Sequence, residues 1–441
     1  FSRFRKAKKE ERKVGDKVNV SDLSNCIEQR PPCSVDRTLE EYDQSAGGQH
    51  SAEGSFEIPK DLGDEVQGKH APDKELRSVR PSTGSRPSKR EGEVNPVVKY
   101  ALDWNFVQAS DDFRVDYAHR KGGIPLTDAS ILKRLRDSGK EVIMQVGKKI
   151  LRGDFNLTTI SFPIKCMEPK SVLHNTIRSM LMDPLYLNRA AAIKDPEERM
   201  RLVVISRISC FIHTSQFLKP MNPILGETIR ARCQDGSEFY AEQTSHHPPV
   251  THFLVYGPEN RYRCSGHYVF EAKAGLNSLK ILNQGKRRVE FADGQTITIN
   301  CPNESFCSTF IGTPRNEVMG TVVFIDEANN LEVIVNIGGV KGKPSDYVEG
   351  LMISNRTQLV SKLSGTYLGW LDFDGSRYWD VRFVPSFDIM FEPNLPSDSE
   401  LRSDLCALRE GRVEEAQVFK EKLEAEQRYD RAVRSKYSKR R

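Results

Sequence analysis

The string Glu242-Gln243-Thr244-Ser245-His246-His247-Pro248-Pro249 sets two imidazoles side by side and follows them with two prolines. Neighbours on a strand point to opposite faces, but proline cannot donate to a ladder, so the segment reads as a loop presenting His246 and His247 to a ligand. Imidazole also binds metals. Neither a nearby cysteine nor an H-E-x-x-H spacing completes such a site, so no metal is expected. Upstream, Lys219-Pro220-Met221-Asn222-Pro223-Ile224-Leu225-Gly226-Glu227 offers a mobile point charge suited to phosphate in Lys219 and a neutral donor and acceptor in Asn222. Near the other end, Lys420, Glu424 and Arg428 recur at i, i+4 and i+8, so they share one helix face and can form an ion-pair ladder. Such a face is ordinarily solvated, and it gains a role in binding only where it looks into a cavity.

Enzymatic signatures are missing: there is no G-x-S-x-G elbow, no P-loop and no metal-ligand cluster, so neither catalysis nor a cofactor is expected. The nine cysteines are scattered without a C-x-x-C pair, which favours reduced thiols. No apolar run approaches the ~20 residues of a membrane-crossing helix, and the opening FSRFRKAKKEERK is too charged for a secretory signal, so a cytoplasmic protein is expected. The first residue is Phe, which suggests a piece of a longer chain with targeting modules upstream.

The net charge of +5 conceals a polarity, because residues 1–17 hold eight Lys and Arg against three acids and residues 428–441 hold seven against one. Basic ends can approach an anionic membrane at about 1 kcal/mol per cation near the surface. Nucleic acid is not the expected partner, since aromatic residues are not interleaved with these charges and no reader motif is present.

The elements that position these residues follow from pattern. Residues 1–95 are rich in Ser, Gly, Pro and charge and read as a disordered tail or linker. Order is expected from about Tyr100, with a helix over Leu126 to Val142 capped by Asp128, a second from Ser171 to Met182, and a third that Asp195 caps and Pro196 begins, running to Phe211. After Lys219 short alternating segments are punctuated by Asp293-Gly294, Asn329-Asn330 and Asp374-Gly375, a succession of hairpins that predicts an antiparallel sheet closing around an interior. One further helix is expected from Ser399 to Arg434.

The SHHPP and KPMNPILGE strings, SFPIKCMEPKS at Ser161 to Ser171, KPSDYVEG at Lys343 to Gly350 and EKLEAEQR at Glu421 to Arg428 resemble motifs of the lipid-binding domain of the oxysterol-binding-protein-related family. The resemblance covers residues 141–434, within a lipid-binding domain expected over 96–441. It implies a mainly antiparallel β fold: a large incomplete β-barrel with an internal lipid tunnel, an N-terminal lid with helices and a C-terminal helix. It further implies a carrier of phosphatidylinositol 4-phosphate and a second lipid, sterol or phosphatidylserine, peripherally associated with anionic membrane surfaces; a lipid sensor or regulatory scaffold without net transport is the alternative. Carried over by motif, the headgroup would meet His246, His247, Lys219, Asn222, Lys420 and Arg428, with Glu424 orienting the two cations beside it. The segment from about Val142 to Pro163 would form the lid. VLHNTIRSM after SFPIKCMEPKS and SELRSDL near the end depart from the family pattern, which bears on lid packing and on the second lipid.

Overall fold

Strict alternation of apolar and polar residues puts one face of a strand in the core, and the segments after Lys219 do so. The computed structural model describes residues 111–137, 162–214, 217–275, 277–309, 311–385 and 387–438. In it, sixteen strands form one antiparallel sheet whose main path runs from Ile389–Phe391 and Thr228–Cys233 at one edge to Trp370–Phe373 and Ser376–Asp380 at the other. The two edges do not pair, so the sheet curls into an incomplete barrel.

The three expected hairpins are present. Ile297 pairs with Val289 across Asp293-Gly294, and Leu331 with Asp326 across Asn329-Asn330. At Asp374-Gly375 both residues have positive φ, 52° and 80°, which a tight turn between twisted strands requires and which Asp and Gly tolerate. Two strands are too long for one partner. Tyr262–Ala274 pairs with Lys286–Phe291 along its first half and with Ser278–Asn283 along its second, and Arg315–Asp326 is likewise shared with Asn303–Cys307 and Leu331–Ile337. The sheet therefore splays, leaving room inside.

Helices close that space. Asp195 accepts from the Glu197 amide at 3.1 Å and caps Pro196–Ser209, whose Leu202, Val203, Val204, Ile205 and Ile208 are buried. Each such side chain contributes about 1.5–3 kcal/mol by leaving water. Asp128 accepts from the Ser130 and Ile131 amides at 2.8 and 3.0 Å and starts a helix described over 129–137.

Three expectations need correction. The helix from Ser171 ends at Arg178, and a separate helix, Asp183–Ala192, follows a turn that buries Met180 and Met182. The final helix is two: Ser403–Arg409 and Val413–Ser438 flank Gly411, whose φ of 76° no helix accommodates. The two prolines after His247 do not end pairing, since Pro249 opens a strand in register with His246 and only His247 and Pro248 form the turn, with a cis peptide between them. Within SFPIKCMEPKS, Met167–Ser171 pairs in parallel with Lys219–Met221, a contact between distant segments that periodicity does not reveal. The expected start near Tyr100 and the lid segment lie outside the described residues, except Phe162 and Pro163.

Candidate binding site at the mouth of an internal cavity

Between the splayed strands and the helices is a cavity of about 550 Å³. Period-two alternation supplies its wall: Phe270 and Ala272 on one strand, Leu279 and Ile281 on the next, Phe306 on the third, with Leu132 and Leu135 from the 129–137 helix. Such a surface suits hydrocarbon and recognises nothing polar.

Polar groups gather at one end. Lys219, Asn222, His246 and His247 all line the cavity although 24 residues separate the Asn222 loop from the histidine turn. Lys219 is carried by the short parallel pair, and its ammonium donates to Asn222 Oδ1 at 2.5 Å and to the Pro220 carbonyl at 3.3 Å, 5.5 Å from the Phe162 ring centre. Burial pushes this ammonium down to about 8, with Lys420 pushing the same way and Cys166 and Glu424 opposing. A lysine so placed gains from any anion that arrives. The imidazoles of His246 and His247 meet edge to face with centroids 4.6 Å apart, and His246 Nδ1 is buried without a hydrogen-bond partner among the described residues. Burial holds both imidazoles below their ordinary range, helped at His246 by His247 and at both by Arg431.

The last helix is laid against this mouth. Lys420 is buried and donates to Glu424 Oε1 at 2.6 Å, while exposed Arg428 stands 3.6 Å from Glu424 Oε2. The charges of Lys420 and Glu424 reach Lys219, and that of Glu424 reaches His246. The three are not part of the cavity wall itself, and Arg428 faces outward. Arg431 was not anticipated; it lies seven residues beyond Glu424 on the same face, a signal lost within a basic run. Arg402 was also missed. Its guanidinium donates to Glu227 Oε2 at 2.6 Å and to Asp404 Oδ2 at 2.6 Å, both buried, and Glu227 in turn accepts from the Ile224 amide at 2.9 Å. The last residue of KPMNPILGE thus anchors the loop that carries Lys219 and Asn222. Among the described residues no group of His, Cys, Asp and Glu could hold a metal ion, and no helix is long and apolar enough to cross a membrane.

A family model for oxysterol-binding proteins matches residues 143–380, more than half of the chain. The chain belongs to the oxysterol-binding protein family. Within that family it is 33% identical over 343 residues to oxysterol-binding protein 9 of Dictyostelium discoideum, covering 72% of this chain and 80% of the relative. It is 30% identical over 335 residues to the mouse oxysterol-binding protein-related protein 5, covering 69% of this chain but only 37% of that protein, so it spans little more than a third of the mouse relative. Two solved structures share the fold. The Osh1 ORD domain in complex with cholesterol aligns with TM-score 0.57 at 22% identity, over 64% of this chain and 78% of that one. The Saccharomyces cerevisiae Osh3 ORD in complex with PI(4)P aligns with TM-score 0.55 at 23% identity, over 74% and 89%. Membership of the oxysterol-binding protein family makes this a lipid-binding protein and not an enzyme.

Proposed function

We propose that the chain carries phosphatidylinositol 4-phosphate in exchange for a second lipid, sterol or phosphatidylserine, between membranes. The supporting observation is the convergence of Lys219, Asn222, His246 and His247 on one end of an otherwise largely apolar cavity, with Lys420 beside them. A phosphomonoester carries about two negative charges and is best held by several charge-assisted hydrogen bonds. It relieves the Lys219–Lys420 repulsion and gives the unpartnered His246 Nδ1 an acceptor once that ring is protonated. Acyl chains then need only the apolar wall, which replaces the bilayer contacts left behind. The complexes of Osh3 with PI(4)P and of Osh1 with cholesterol favour the same pair of ligands here.

In this reading residues 96–441 form the lipid-binding domain and residues 1–95 a polar tail. Arg431, Arg434 and Lys436, exposed along the last helix, draw the mouth to anionic cytoplasmic membrane surfaces. The test is transfer of radiolabelled phosphatidylinositol 4-phosphate from donor to acceptor liposomes, with the lipids co-purified from cells identified by mass spectrometry. The lipid should be extracted stoichiometrically, delivered intact and accompanied among the co-purified lipids by a sterol or phosphatidylserine. Extraction without delivery would favour a sensor, and failure to extract would refute the headgroup assignment.

A further inference from the structure

The cavity has a second polar feature, carried by elements other than those that form the mouth. Arg207, on the helix Pro196–Ser209, lines the cavity yet is only 5% exposed. Among the described residues it makes one hydrogen bond, from Nη1 to the Ser179 carbonyl at 3.2 Å, and its guanidinium lies 4.9 Å from the Phe211 ring centre. No carboxylate lies within ion-pair distance of it among these residues, whereas the neighbouring buried cation, Arg287, stands 3.4 Å from Asp183. Asp183 is itself fully engaged, accepting also from Ser206 Oγ at 2.7 Å. Beside Arg207 the Ser179 and Tyr268 hydroxyls, 3.0 Å apart, also face the cavity.

Two acids share the cavity wall with Arg207: Glu271, which is paired with Lys273 at 3.2 Å, and Glu304, on the strand Asn303–Cys307, whose carboxyl feels the Arg207 charge. Burial raises the Glu304 carboxyl to about 7, against the opposing pull of Asn316 and Arg207, so at neutral pH it supplies only part of a counter-charge. The charges acting on Lys219 are Cys166, Lys420 and Glu424, and those on Glu304 do not include them. The two polar places therefore have different principal charged neighbours.

A buried cation without a counter-ion is costly, and in a lipid cavity the group that completes it is an anion arriving on the lipid. We propose that Arg207, with Ser179 and Tyr268, forms an inner subsite for the carboxylate of a lipid acid, a fatty acid or a sterol acid, bound with its charged end inward. The guanidinium offers a planar fork of donors to a carboxylate, the Tyr268 hydroxyl lies close by, and Glu304 in its protonated form can donate to the same oxygens. This orientation is opposite to that of a phosphoinositide, whose charge would stay at the mouth, so the subsite stands whichever headgroup the mouth takes.

The test uses the full delipidated chain with two fluorescent probes of identical hydrocarbon, cis-parinaric acid and its methyl ester. The acid should bind about tenfold or more tightly than the ester. Arg207→Met should abolish that preference with ester affinity retained, while the doubly substituted His246→Ala, His247→Ala protein should keep it. Displacement of the bound acid by palmitate or by a sterol carboxylic acid then says which hydrocarbon body the subsite serves. Equal binding of acid and ester by the parent, a preference that survives Arg207→Met, or one lost only in the histidine variant would overturn the proposal. Should Arg207→Met fail to fold, the carbon-13 signal of carboxyl-labelled palmitate on the parent protein decides: a bound carboxylate that stays ionised well below its titration in water supports the subsite, and an ordinary titration overturns it.

Discussion

The Arg402 guanidinium donates to the backbone carbonyl of Asn222 across 3.0 Å, joining the start of the C-terminal helices to the loop that carries the cavity-mouth donors. The same side chain satisfies buried Glu227 and Asp404, so one residue fixes both the charge balance and the loop. Arg402→Met leaves two buried carboxylates uncompensated and should lower stability by about 3–5 kcal/mol. Urea unfolding measures it; a loss under about 1 kcal/mol would show that the triad is not holding the loop.

Lys219 gives the mouth a pH dependence. Its ammonium loses its proton around 8 in the free protein, and a bound phosphate needs the proton in place. Phosphoinositide affinity should therefore be nearly flat just above neutrality and fall by about tenfold per pH unit above that midpoint. Lys219→Arg, which does not titrate there, should flatten the profile. Equal slopes for the two proteins in vesicle-extraction measurements would exclude Lys219 from the headgroup contact.

How much of this was legible in the sequence depended on range. Asp195 announced a helix that begins where expected, Asp128 one that begins just after it rather than at Leu126, and Asp374-Gly375 its hairpin, because caps and turns are decided by residues a few positions apart. Adjacent motifs placed Lys219 with Asn222 and His246 with His247. What escaped was settled between distant segments: the parallel pairing of Met167 with Lys219, the burial of Glu227 against Arg402, and the charge of Arg207 turned into the cavity. Gly411 was visible but read as part of one helix, since the apolar spacing continues across it.

The ladder on the last helix should act as a unit at its inner end. Lys420 is buried against Glu424, while Arg428 is exposed and farther from it. In a double-mutant cycle, Lys420→Ala and Glu424→Ala should show coupling in lipid affinity of about 0.5 kcal/mol or more. Arg428→Ala should cost less than Lys420→Ala, in keeping with the ~0–1 kcal/mol of exposed pairs. Additive single effects would make the inner pair an ordinary solvated one.

Acid sensitivity should trace in part to Glu400. His174, first, and then Arg409 hold its carboxyl down at about 2 despite partial burial. A carboxylate depressed in the folded state stabilises fully above its ordinary value near 4.5 and loses that contribution as pH falls towards 2. The stability difference between the parent and Glu400→Gln should be constant above about pH 5 and shrink below it. A difference independent of pH would mean that the His174–Glu400 contact, 2.5 Å long, carries no such linkage.

The most direct test of headgroup binding at the cavity mouth is extraction of phosphatidylinositol 4-phosphate from liposomes by His246→Ala, His247→Ala protein, with circular dichroism confirming the fold. Both side chains line the cavity at a hairpin turn, so their removal should spare stability while lowering extraction by about tenfold or more, the loss of two charge-assisted hydrogen bonds. Extraction equal to that of the parent, by a folded variant, would contradict the assignment of the phosphate to this mouth.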